Sequence, residues 1–442
     1  MARILIIGSG GREHALAWAI HRSHGVDELH IAPGNGGTGD LARSVPIPVD
    51  DINALADYAE TQLIDLTVVG PEVPLALGLA DAFQERGLRV FGPTAAAARI
   101  ESSKAFSKDF MRAHGIPTAE YGLFDDYDQA RSFLESHSAP IWIKASGLAA
   151  GKGAIGCQTD AEALEALDKI MKERAFGAAG DVVVIEEHLS GQEVTVLAFC
   201  DGHTVTPMIL AQDHKAAYDG DRGPNTGGMG CYAPAHLLDE ATLERVVAEI
   251  LQPTVDGLAA AGSPYVGVLY AGLMVSDDPD PDIHVLEFNC RFGDPEAQAI
   301  LPLLETDLHA VLDACVEGCL DQIELQWTGQ SCACVVMASG GYPDSYERGF
   351  EITGLDRVAE LPNTMVFHAG TRVVADADGR EKIVTDGGRV LGVTAWADDL
   401  ESAVARAYAA VDHIHWPGVM YRRDIGAKAL HSAQSITDTH PQ

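Results

Sequence analysis

The first hundred residues alternate short apolar runs with helical patterns. The pattern predicts buried strands at residues 3–7, 28–32, 66–69 and 89–91, and a helix that begins near Ala15. Each strand leads into a turn that contains glycine or proline. Strands that alternate with helices are typical of a doubly wound α/β domain, whose ligands bind at the carboxyl ends of the strands.

The turn after the first strand is rich in glycine and reads Gly8-Ser-Gly-Gly-Arg-Glu-His14. It is similar to a dinucleotide-binding turn, but Glu13 stands where the third glycine is needed. No acidic residue ends the second strand, where Ala32-Pro33-Gly34 stands instead. The pattern therefore excludes a dinucleotide and is compatible with a phosphate at the start of the following helix.

From residue 101 the pattern changes. It predicts a helix over residues 104–114 and an apolar strand over residues 140–144 that ends at Lys144. Residues 145–153 form a run of small residues that includes Lys152, and the backbone amides of such a loop can approach phosphates closely. The glycine spacing is not that of a Walker A loop, and a plain turn is the alternative interpretation.

Two further strands are predicted at residues 182–187 and 193–199, with a break at residues 188–191. Extended backbone can hydrogen-bond an adenine edge, and a carboxylate such as Glu193 can hold ribose hydroxyls. The alternative is that Glu186, Glu187 and Glu193 form the solvent face of a hairpin.

Residues 219–230 combine several glycines, a proline and polar side chains between apolar strands. We predict a long shaped loop without a regular element, with disorder as the alternative.

The strand pattern of residues 285–289 carries the most specific chemistry. Glu287 and Asn289 are two residues apart, so on an extended strand both side chains point to one face. Carboxylate and amide oxygens suit Mg²⁺, and Arg291 continues the alternation with a group that fits carboxylate or phosphoryl oxygens. An ordinary polar strand face is the alternative. The strand, the metal pair, the arginine and the tight Gly-Asp-Pro turn that follows are together typical of the end of a nucleotide-phosphate site.

Composition narrows the class of protein. The chain has 442 residues, 47% of them apolar, which indicates about three domains. A net charge of −35 argues against nonspecific binding to nucleic acid or to an anionic membrane. We expect no membrane span and no export signal. The eight cysteines lack paired CxxC spacing, so reduced thiols and a cytoplasmic location are expected.

Several motifs together resemble one enzyme family. They are Gly8-x-Gly-Gly-Arg-Glu-His-Ala15, Val69-Gly-Pro-Glu72, Lys144-Ala-x-Gly-Leu-Ala-Ala-Gly-Lys-Gly153, Gln212-Asp-His-Lys215, Gly223-Pro-Asn-Thr-Gly-Gly-Met-Gly230, Glu287-Phe-Asn-Cys-Arg-Phe-Gly-Asp-Pro-Glu296, Phe367-His-Ala-Gly-Thr371, Thr385-Asp-Gly-Gly-Arg-Val390 and Arg423-Asp-Ile-Gly426. In this order they resemble the phosphoribosylamine-glycine ligases, also called glycinamide ribonucleotide synthetases, over nearly the whole chain.

The resemblance implies a multidomain α/β and α+β fold. We expect an N-terminal doubly wound α/β domain at 1–101, central ATP-grasp lobes at 102–325 with a lid lobe at about 120–190, and a C-terminal α+β domain at 326–430. It also implies ATP-dependent joining of glycine to 5-phosphoribosylamine through glycyl phosphate, with Mg²⁺ or Mn²⁺. A monomer that binds neither nucleic acid nor membrane is expected.

Residue roles are carried over by position. For catalysis these are Arg291, Lys215, Asp213 and Asp294; for ATP, Lys104, Lys144, Gly151, Lys152, Gly153, Glu186, Glu187, Leu189 and Glu193; for the substrates, Gly10, Gly11, Asn35, Glu72, Asn225 and Gly293; for the metal, Glu287 and Asn289. Three places depart from the family's pattern: Ser9 replaces an asparagine, Ser146 replaces an aspartate, and Gln192 with Val194 replaces a more acidic and hydroxylic run.

Two other classes of protein are weighed against this one. Another ATP-grasp ligase or carboxylase would lack the 223–230 loop and the Phe292-Gly-Asp-Pro sequence. A non-catalytic nucleotide-binding protein would have lost Lys144, Glu287, Asn289 or Arg291, all of which are present.

Overall fold

The computed structural model describes residues 2–149, 152–278, 280–376 and 378–431. Its N-terminal unit is a five-stranded sheet in the order β3-β2-β1-β4-β5 with every pair parallel. The strands are β1 (Ala2–Gly8), β2 (Val26–Pro33), β3 (Arg43–Ser44), β4 (Leu66–Val69) and β5 (Val90–Phe91). The helices are α1 (Gly11–His21), α2 (Ile52–Thr61), α3 (Glu72–Ala76), α4 (Leu79–Glu85) and α5 (Ala95–Ser102).

This unit confirms the predicted doubly wound domain. Ile4 to Ile7 of β1 are fully buried, because a central parallel strand is covered by helices on both faces. Helix α1 starts at Gly11, four residues before the predicted Ala15.

The lid lobe is a four-stranded antiparallel sheet in the order β6-β9-β7-β8. Its strands are β6 (Tyr121–Phe124), β7 (Ile141–Ala145), β8 (Ala154–Cys157) and β9 (Val183–Glu187). Helices α7 (Tyr127–Ser136) and α8 (Asp160–Leu167) accompany it, with a π-turn at Asp168–Lys172 and a 3-10 turn at Gly177–Gly180. Helix α6 (Lys104–His114) leads into the lobe and has the predicted bounds.

Ser146, one of the departures, anchors the start of α6. Its Oγ accepts the Ala105 amide at 3.1 Å, and its backbone oxygen accepts the Lys104 amide at 2.8 Å. Because the first amides of a helix lack partners within the helix, this contact fixes Lys104 relative to the lid loop.

The next sheet, where the second ATP lobe is expected and which we refer to by that name, is antiparallel and has the order β11-β10-β16-β17. Its strands are β10 (Gln192–Asp201), β11 (Val205–Pro207), β16 (Val266–Val275) and β17 (Ile283–Asn289). Its helices are α9 (Glu240–Val246), a π-turn at Val247–Leu251, α10 (Gln252–Ala260), α11 (Glu296–Ile300) and α12 (Leu308–Glu317), with 3-10 turns at Leu301–Leu303 and Leu320–Gln322.

The C-terminal sheet has five strands in the order β12-β15-β18-β22-β19. They are β12 (Gln212–Asp213), β15 (Gly230–Ala233), β18 (Ser331–Ala338), β19 (Thr364–His368) and β22 (Arg389–Ala397), with helices α13 (Leu355–Ala359) and α14 (Leu400–Val411) and the hairpin β20 (Thr371–Ala375) and β21 (Glu381–Thr385). Strands β12 and β15 come from the middle of the chain. The C-terminal sheet therefore carries the Gln212-to-Lys215 motif into the cleft.

The expectation of no regular element in residues 219–230 is wrong for the first half of that segment. Strand β14 (Arg222–Asn225) pairs with β13 (Ala216–Tyr218) in a short antiparallel hairpin. The hairpin tolerates Pro224 because an edge strand need not donate every amide.

The hairpin is tied to the C-terminal segment. Buried Arg422 lies 2.9 Å from Asp221 and 2.7 Å from Asp424, and Asp424 also accepts the Gly220 amide at 2.8 Å. The loop is thus held in one shape by charge-assisted hydrogen bonds.

The cysteines are free thiols throughout, and all but Cys319 are buried. In the part of the chain that the structure describes, no helix is both long and apolar enough to cross a membrane.

Candidate active site

The lid lobe brings a buried carboxylate between two lysines. Lys144 is the penultimate residue of β7 and Glu186 lies on the neighbouring strand β9, and the two side chains form an ion pair. Lys108 of α6 reaches the same carboxylate at 2.6 Å. Burial alone raises the pKa of Glu186, but Lys144 and Lys108 bring it below its usual value, so the carboxylate is ionised. Glu186 thus serves as the counter-ion of two lysines, one of which, Lys108, was missed by the sequence reasoning.

The strand end of β17 presents the predicted metal pair. The Glu287 carboxylate lies 2.9 Å from the Lys104 ammonium, which with neighbouring lysines holds the pKa of Glu287 well below its usual range. The Asn289 amide oxygen accepts a hydrogen bond from Arg291 at 3.0 Å. All three side chains therefore share one face of the chain, as the alternation predicts.

This donor set fits a hard divalent cation. Glu287 supplies an ionised carboxylate and Asn289 a neutral oxygen, and Mg²⁺ takes few protein ligands and completes its shell with water and phosphate oxygens. Among the described residues, no group of three or more His, Cys, Asp and Glu side chains could hold a metal ion. A metal at this strand end would therefore depend on Glu287, Asn289 and the oxygens of a bound nucleotide.

Arg291 joins the second ATP lobe to the N-terminal unit. Its guanidinium lies 3.5 Å from Glu72 at the start of α3 and 3.2 Å from Glu101 near the end of α5. Glu101 also accepts the Cys290 amide at 2.6 Å. Burial and the Glu72 charge raise the pKa of Glu101, while Arg291 lowers it. The predicted Glu72 and Arg291 meet, and Glu101 is a second carboxylate there that the sequence motifs did not reveal.

Asp294 lies where the N-terminal unit, the second ATP lobe and the C-terminal sheet meet. Arg389 of β22 lies 3.3 Å from its carboxylate, Gln298 donates to it at 2.9 Å, and the Arg12 amide donates at 3.3 Å. Arg389 also donates to the Gly227 oxygen at 2.6 Å. Arg389 thus connects the glycine-rich loop to Asp294, a role that the Gly-Gly-Arg motif alone did not indicate.

Carboxylates occupy the first turn of α1. Glu13 accepts the Gly10 amide at 2.6 Å and pairs with Arg12 at 2.5 Å. A side-chain carbon at Gly70 would lie 2.2 Å from Glu13, so Glu13 fills the space above the glycine-rich turn. Because the Glu13 carboxylate already accepts the Gly10 amide, the structure argues against a phosphate at that amide. Gly11 is held close to Gln298, where an added carbon would lie 2.5 Å away.

Asn35 ties two loops together. Its side-chain amide donates to the Ser9 oxygen at 2.9 Å and the His368 oxygen at 2.7 Å. His14 and His368 lie beneath this loop, and burial lowers their pKa to about 3 and about 4. The Asn35 side chain therefore connects the N-terminal and C-terminal units, and its backbone lines the space between them.

Asp213 ends β12, and Lys215 follows it just before β13 begins. Lys215 forms an ion pair with Glu193, which stands on an exposed part of β10. Burial raises the pKa of Asp213 to about 7, with Lys215 lowering it and Glu296 raising it. The predicted Asp213, Lys215 and Glu193 are brought together, and Glu296 joins them although no role was assigned to it.

The lid loop reaches the C-terminal domain. Lys152 donates to the Pro343 oxygen at 2.9 Å, and the Gly153 oxygen accepts the Ala145 amide at 2.8 Å. Gly151 lies outside the described residues. Lys152 therefore contacts the C-terminal domain, and its ammonium is bound to a backbone carbonyl.

Other predicted residues lie at the margins of the cleft. Glu187 accepts the Glu120 amide at 2.9 Å, and Leu189 is half-buried in the turn between β9 and β10. Asn225 is exposed on β14, whereas Gly293 is buried against Glu296. Tyr270 of β16, which the sequence reasoning missed, is buried with its hydroxyl 2.9 Å from Thr195 and its ring 6.0 Å from the Arg291 guanidinium. A single tyrosine in an apolar strand gives no sequence signal of a site.

The surroundings of His214, which lies between Asp213 and Lys215, predict that the folded protein loses stability in acid. The His214 Nδ1 lies 3.3 Å from the Gly230 oxygen, and its Nε2 accepts the Gly426 amide at 3.4 Å. A proton added at Nε2 would therefore point at the amide N–H of Gly426. Burial and then Arg422 lower the pKa of His214 from 6.5 to about 4. The unfolded chain therefore takes up this proton first, and stability present above pH 6.5 is lost as pH falls toward 4. We expect His214 to account for about 2 kcal/mol of the loss between about pH 7.5 and about pH 5.

The measurement is denaturant unfolding of the wild type and of His214→Gln at both pH values. His214→Gln should show a smaller loss than the wild type, whereas the control His413→Gln, at an exposed position, should retain the full loss. Equal losses in all three proteins would contradict the assignment.

The fold and the site together define an ATP-grasp ligase: Lys144 of the lid sheet and Lys104 of α6 line one pocket with Glu287, at the end of a second sheet where the sequence reads Glu-x-Asn-x-Arg. The chain belongs to the phosphoribosylglycinamide synthetase family. Its N domain model matches residues 2–101, its ATP-grasp (A) domain model residues 102–297 and its C domain model residues 332–428.

Relatives and solved structures agree with this family. The phosphoribosylamine–glycine ligase of Allochromatium vinosum is 50% identical over 430 residues, which is 97% of this chain and 99% of the relative. The Synechocystis protein of the same name is 50% identical over 431 residues, 97% of this chain and 100% of the relative. The crystal structure of the Thermotoga maritima phosphoribosylamine–glycine ligase matches with a TM-score of 0.82 at 34% identity, covering 96% of this chain and all of that one.

The fold also extends beyond the family. The biotin carboxylase domain of the Hydrogenobacter thermophilus 2-oxoglutarate carboxylase matches with a TM-score of 0.73 at 16% identity, over 95% of this chain and 91% of that one. At this identity the likeness concerns the fold alone.

Proposed function

We propose that this protein joins glycine to 5-phosphoribosylamine, converting ATP to ADP and phosphate and releasing glycinamide ribonucleotide, in purine biosynthesis. The observation that carries the proposal is the position of Arg291. It follows β17 by two residues, donates to Asn289 at the end of that strand and also contacts Glu72 of the N-terminal unit. One guanidinium therefore connects the phosphate end of a nucleotide site with the domain expected to hold the amine substrate.

The chemistry proceeds in two displacements. A glycine carboxylate oxygen attacks the γ-phosphorus of ATP, the bond to the β,γ-bridging oxygen breaks, and ADP leaves. The amine of phosphoribosylamine then attacks the carbonyl carbon of glycyl phosphate, phosphate leaves, and the nitrogen loses a proton. A free carboxylate has a poor leaving group, so phosphorylation makes the amide bond accessible, and the cleft must keep water from the acyl phosphate.

The lysines are the proposed phosphate-binding groups. Lys104 and Lys144 line one pocket with Glu287 and supply positive charge there, and Gly151, Lys152 and Gly153 are proposed to cover the phosphates. For Lys152 to bind a phosphate, its ammonium would have to leave the Pro343 oxygen.

The adenosine end is proposed to lie along the β9–β10 turn. The backbone of residues 187–189 presents groups for the adenine edge, and Glu193 offers a carboxylate for ribose hydroxyls. Glu186 is proposed to act here through its two lysines, whose positions it fixes.

Glu287 and Asn289 are the proposed ligands of Mg²⁺ or Mn²⁺. When bound, the cation neutralises charge on the transferring phosphoryl group. Arg291 is proposed to orient the glycine carboxylate or stabilise the phosphoryl group, with Asp213, Lys215 and Asp294 beside it.

The N-terminal loops are the proposed site of the amine substrate. Gly10, Gly11, Asn35 and Glu72 line it from one side, and Asn225 and Gly293 are proposed to contribute from the loops opposite. The three working units are proposed to be residues 1–101, 102–325 and 326–430. We propose a cytoplasmic monomer that binds neither nucleic acid nor membrane.

The proposal is tested by the dependence of ATP cleavage on both acceptors. Purified protein with ATP, Mg²⁺, glycine and freshly prepared phosphoribosylamine should release ADP and phosphate in equal amounts and form glycinamide ribonucleotide. Omitting either acceptor should reduce steady ADP release to background. ADP release that continues without glycine would refute the assignment.

A further inference from the structure

Glycine carries a positive charge that the cleft must accommodate. At neutral pH it is a zwitterion, and only its carboxylate takes part in phosphoryl transfer. An ammonium removed from water needs an anionic acceptor, because an unpaired charge in a closed cleft is costly. A carboxylate not already neutralised by the protein is therefore required near Arg291.

Most carboxylates around the cleft already have partners. Glu186 pairs with two lysines, Glu287 with Lys104 and Glu193 with Lys215. The remaining paired carboxylates are Glu72 and Glu101, which share Arg291; Asp294, beside Arg389; and Glu13, beside Arg12. Each of these carboxylates therefore already has a cationic partner in the protein.

Glu296 is different. It begins α11 and is only 3% exposed, yet within the described residues its carboxylate makes neither a hydrogen bond nor an ion pair. The structure holds it firmly: a side-chain carbon at Gly293 would lie 2.4 Å from Glu296 Oε2, so only glycine leaves room for the carboxylate. A charged group buried without a partner is rarely kept for stability, since it costs folding free energy.

Asp213 is the second carboxylate without a cation. In the described part of the chain its carboxylate forms no ion pair with a lysine or arginine, although the charge of Lys215 opposes the effect of burial on its pKa. The charge of Glu296 is among the influences that raise the pKa of Asp213, and it also acts on Tyr270, Arg291 and Arg389. Helix α11 packs against β15, and Cys231 of β15 pairs with Asp213 of β12, so Glu296 and Asp213 lie on elements that are held together at the edge of the C-terminal sheet.

We propose that Glu296, together with Asp213, binds the α-ammonium of the amino-acid substrate. With the ammonium on this pair, the carboxylate of the same molecule points toward Arg291 and Lys215, whose positive charges would orient it for phosphorylation. Glu296 is then a substrate-binding residue that selects an acceptor with a charged amine over a carboxylate that lacks one. This inference rests on the proposed function.

The test distinguishes the effect of the Glu296 charge from the effect of its side-chain shape. Glu296→Gln keeps the size of the side chain and removes its charge, and a charge-assisted hydrogen bond contributes about 1.5–3 kcal/mol, or about 10- to 150-fold in binding. We expect KM for glycine to rise within that range while KM for ATP changes less than about twofold. Glu305→Gln, at an exposed position outside the cleft, is the matched control and should leave both constants unchanged.

Inhibition by glycolate provides a measurement that would not change if Glu296 had only a structural role. Glycolate has the glycine carboxylate but a neutral hydroxyl in place of the ammonium. Its inhibition constant against glycine should stay the same or improve in Glu296→Gln, so the preference for glycine over glycolate should fall at least tenfold. Asp213→Asn should shift the same ratio in the same direction.

The outcomes distinguish the two claims. If the wild type does not use glycine, the proposed function fails. If the wild type does use it and both variants retain their preference for glycine over glycolate, the ammonium site is refuted. Should Glu296→Gln fail to fold, Glu296→Asp and Asp213→Asn carry the same test, because each changes the ammonium contacts while keeping a small polar side chain.

Discussion

Glu287→Gln is expected to lower turnover by about three orders of magnitude while the fold persists. The substitution keeps the side-chain shape but removes the charge that pairs with Lys104 and would bind the divalent cation. Metal assistance contributes several kcal/mol to phosphoryl transfer, and each 1.36 kcal/mol corresponds to about a factor of ten in rate. The stability effect should be small, because the Glu287 side chain is 39% exposed.

The measurement is initial-rate ADP formation with both acceptors present, together with a metal readout that does not depend on activity. Paramagnetic resonance of free Mn²⁺ in the presence of ADP should show weaker cation binding by Glu287→Gln than by the wild type. Glu244→Gln, at an exposed position on α9, is the control and should match the wild type in both. A rate within tenfold of wild type, with unchanged Mn²⁺ binding, would remove Glu287 from the metal site.

Local patterns predicted the elements well where burial and chain direction determine them. The strand ending at Val69 and the helix Lys104–His114 have their predicted bounds, because an apolar run and a helix with clear start and stop signals are short-range features. The shared face of Glu287, Asn289 and Arg291 follows from strand geometry, and the hydrogen bond between Arg291 and Asn289 agrees with it.

Long-range partners could not be predicted in this way. Glu101 bonds to Cys290 across 189 positions of sequence, and Lys108 reaches Glu186 only because α6 packs on the lid sheet. The Arg389 bridge to Asp294 requires two sheets to meet. The periodicity of a single element does not encode such long-range contacts, because each contact depends on how separate elements pack. The same reason explains why Glu186 was read as an adenine contact before its lysine partners were visible.

The insertion of β12 and β15 into the C-terminal sheet is a further tertiary effect. Each strand is too short to be recognised by alternation alone, and β12 has only two residues. Pairing of β15 with β18 is what places Asp213 beside the cleft. The start of the Gln212-to-Lys215 motif therefore lies in the C-terminal sheet, although it precedes the expected boundary at residue 326 in sequence.

Glu186→Gln is expected to destabilise the protein by about 3–5 kcal/mol, because removing one partner of a buried ion pair leaves the other charge without compensation. Here two ammonium groups are left, since the Lys108 and Lys144 side chains are 3% and 9% exposed. Thermal unfolding should show the loss, and Glu187→Gln, on the same strand but exposed, should show little. Adding Lys108→Met to Glu186→Gln should restore part of the stability, because one of the unpaired charges is then removed.

ATP should also restore stability to Glu186→Gln, and by more than it adds to Glu187→Gln. Its phosphates are the other anions proposed to lie near Lys144, so a bound nucleotide replaces part of the negative charge that the substitution removes. Binding to the native state raises the free energy of unfolding by mass action, which makes the gain dependent on ATP concentration. If Glu186→Gln unfolds at the same temperature as Glu187→Gln, with and without ATP, then the buried carboxylate does not hold the two lysines in place.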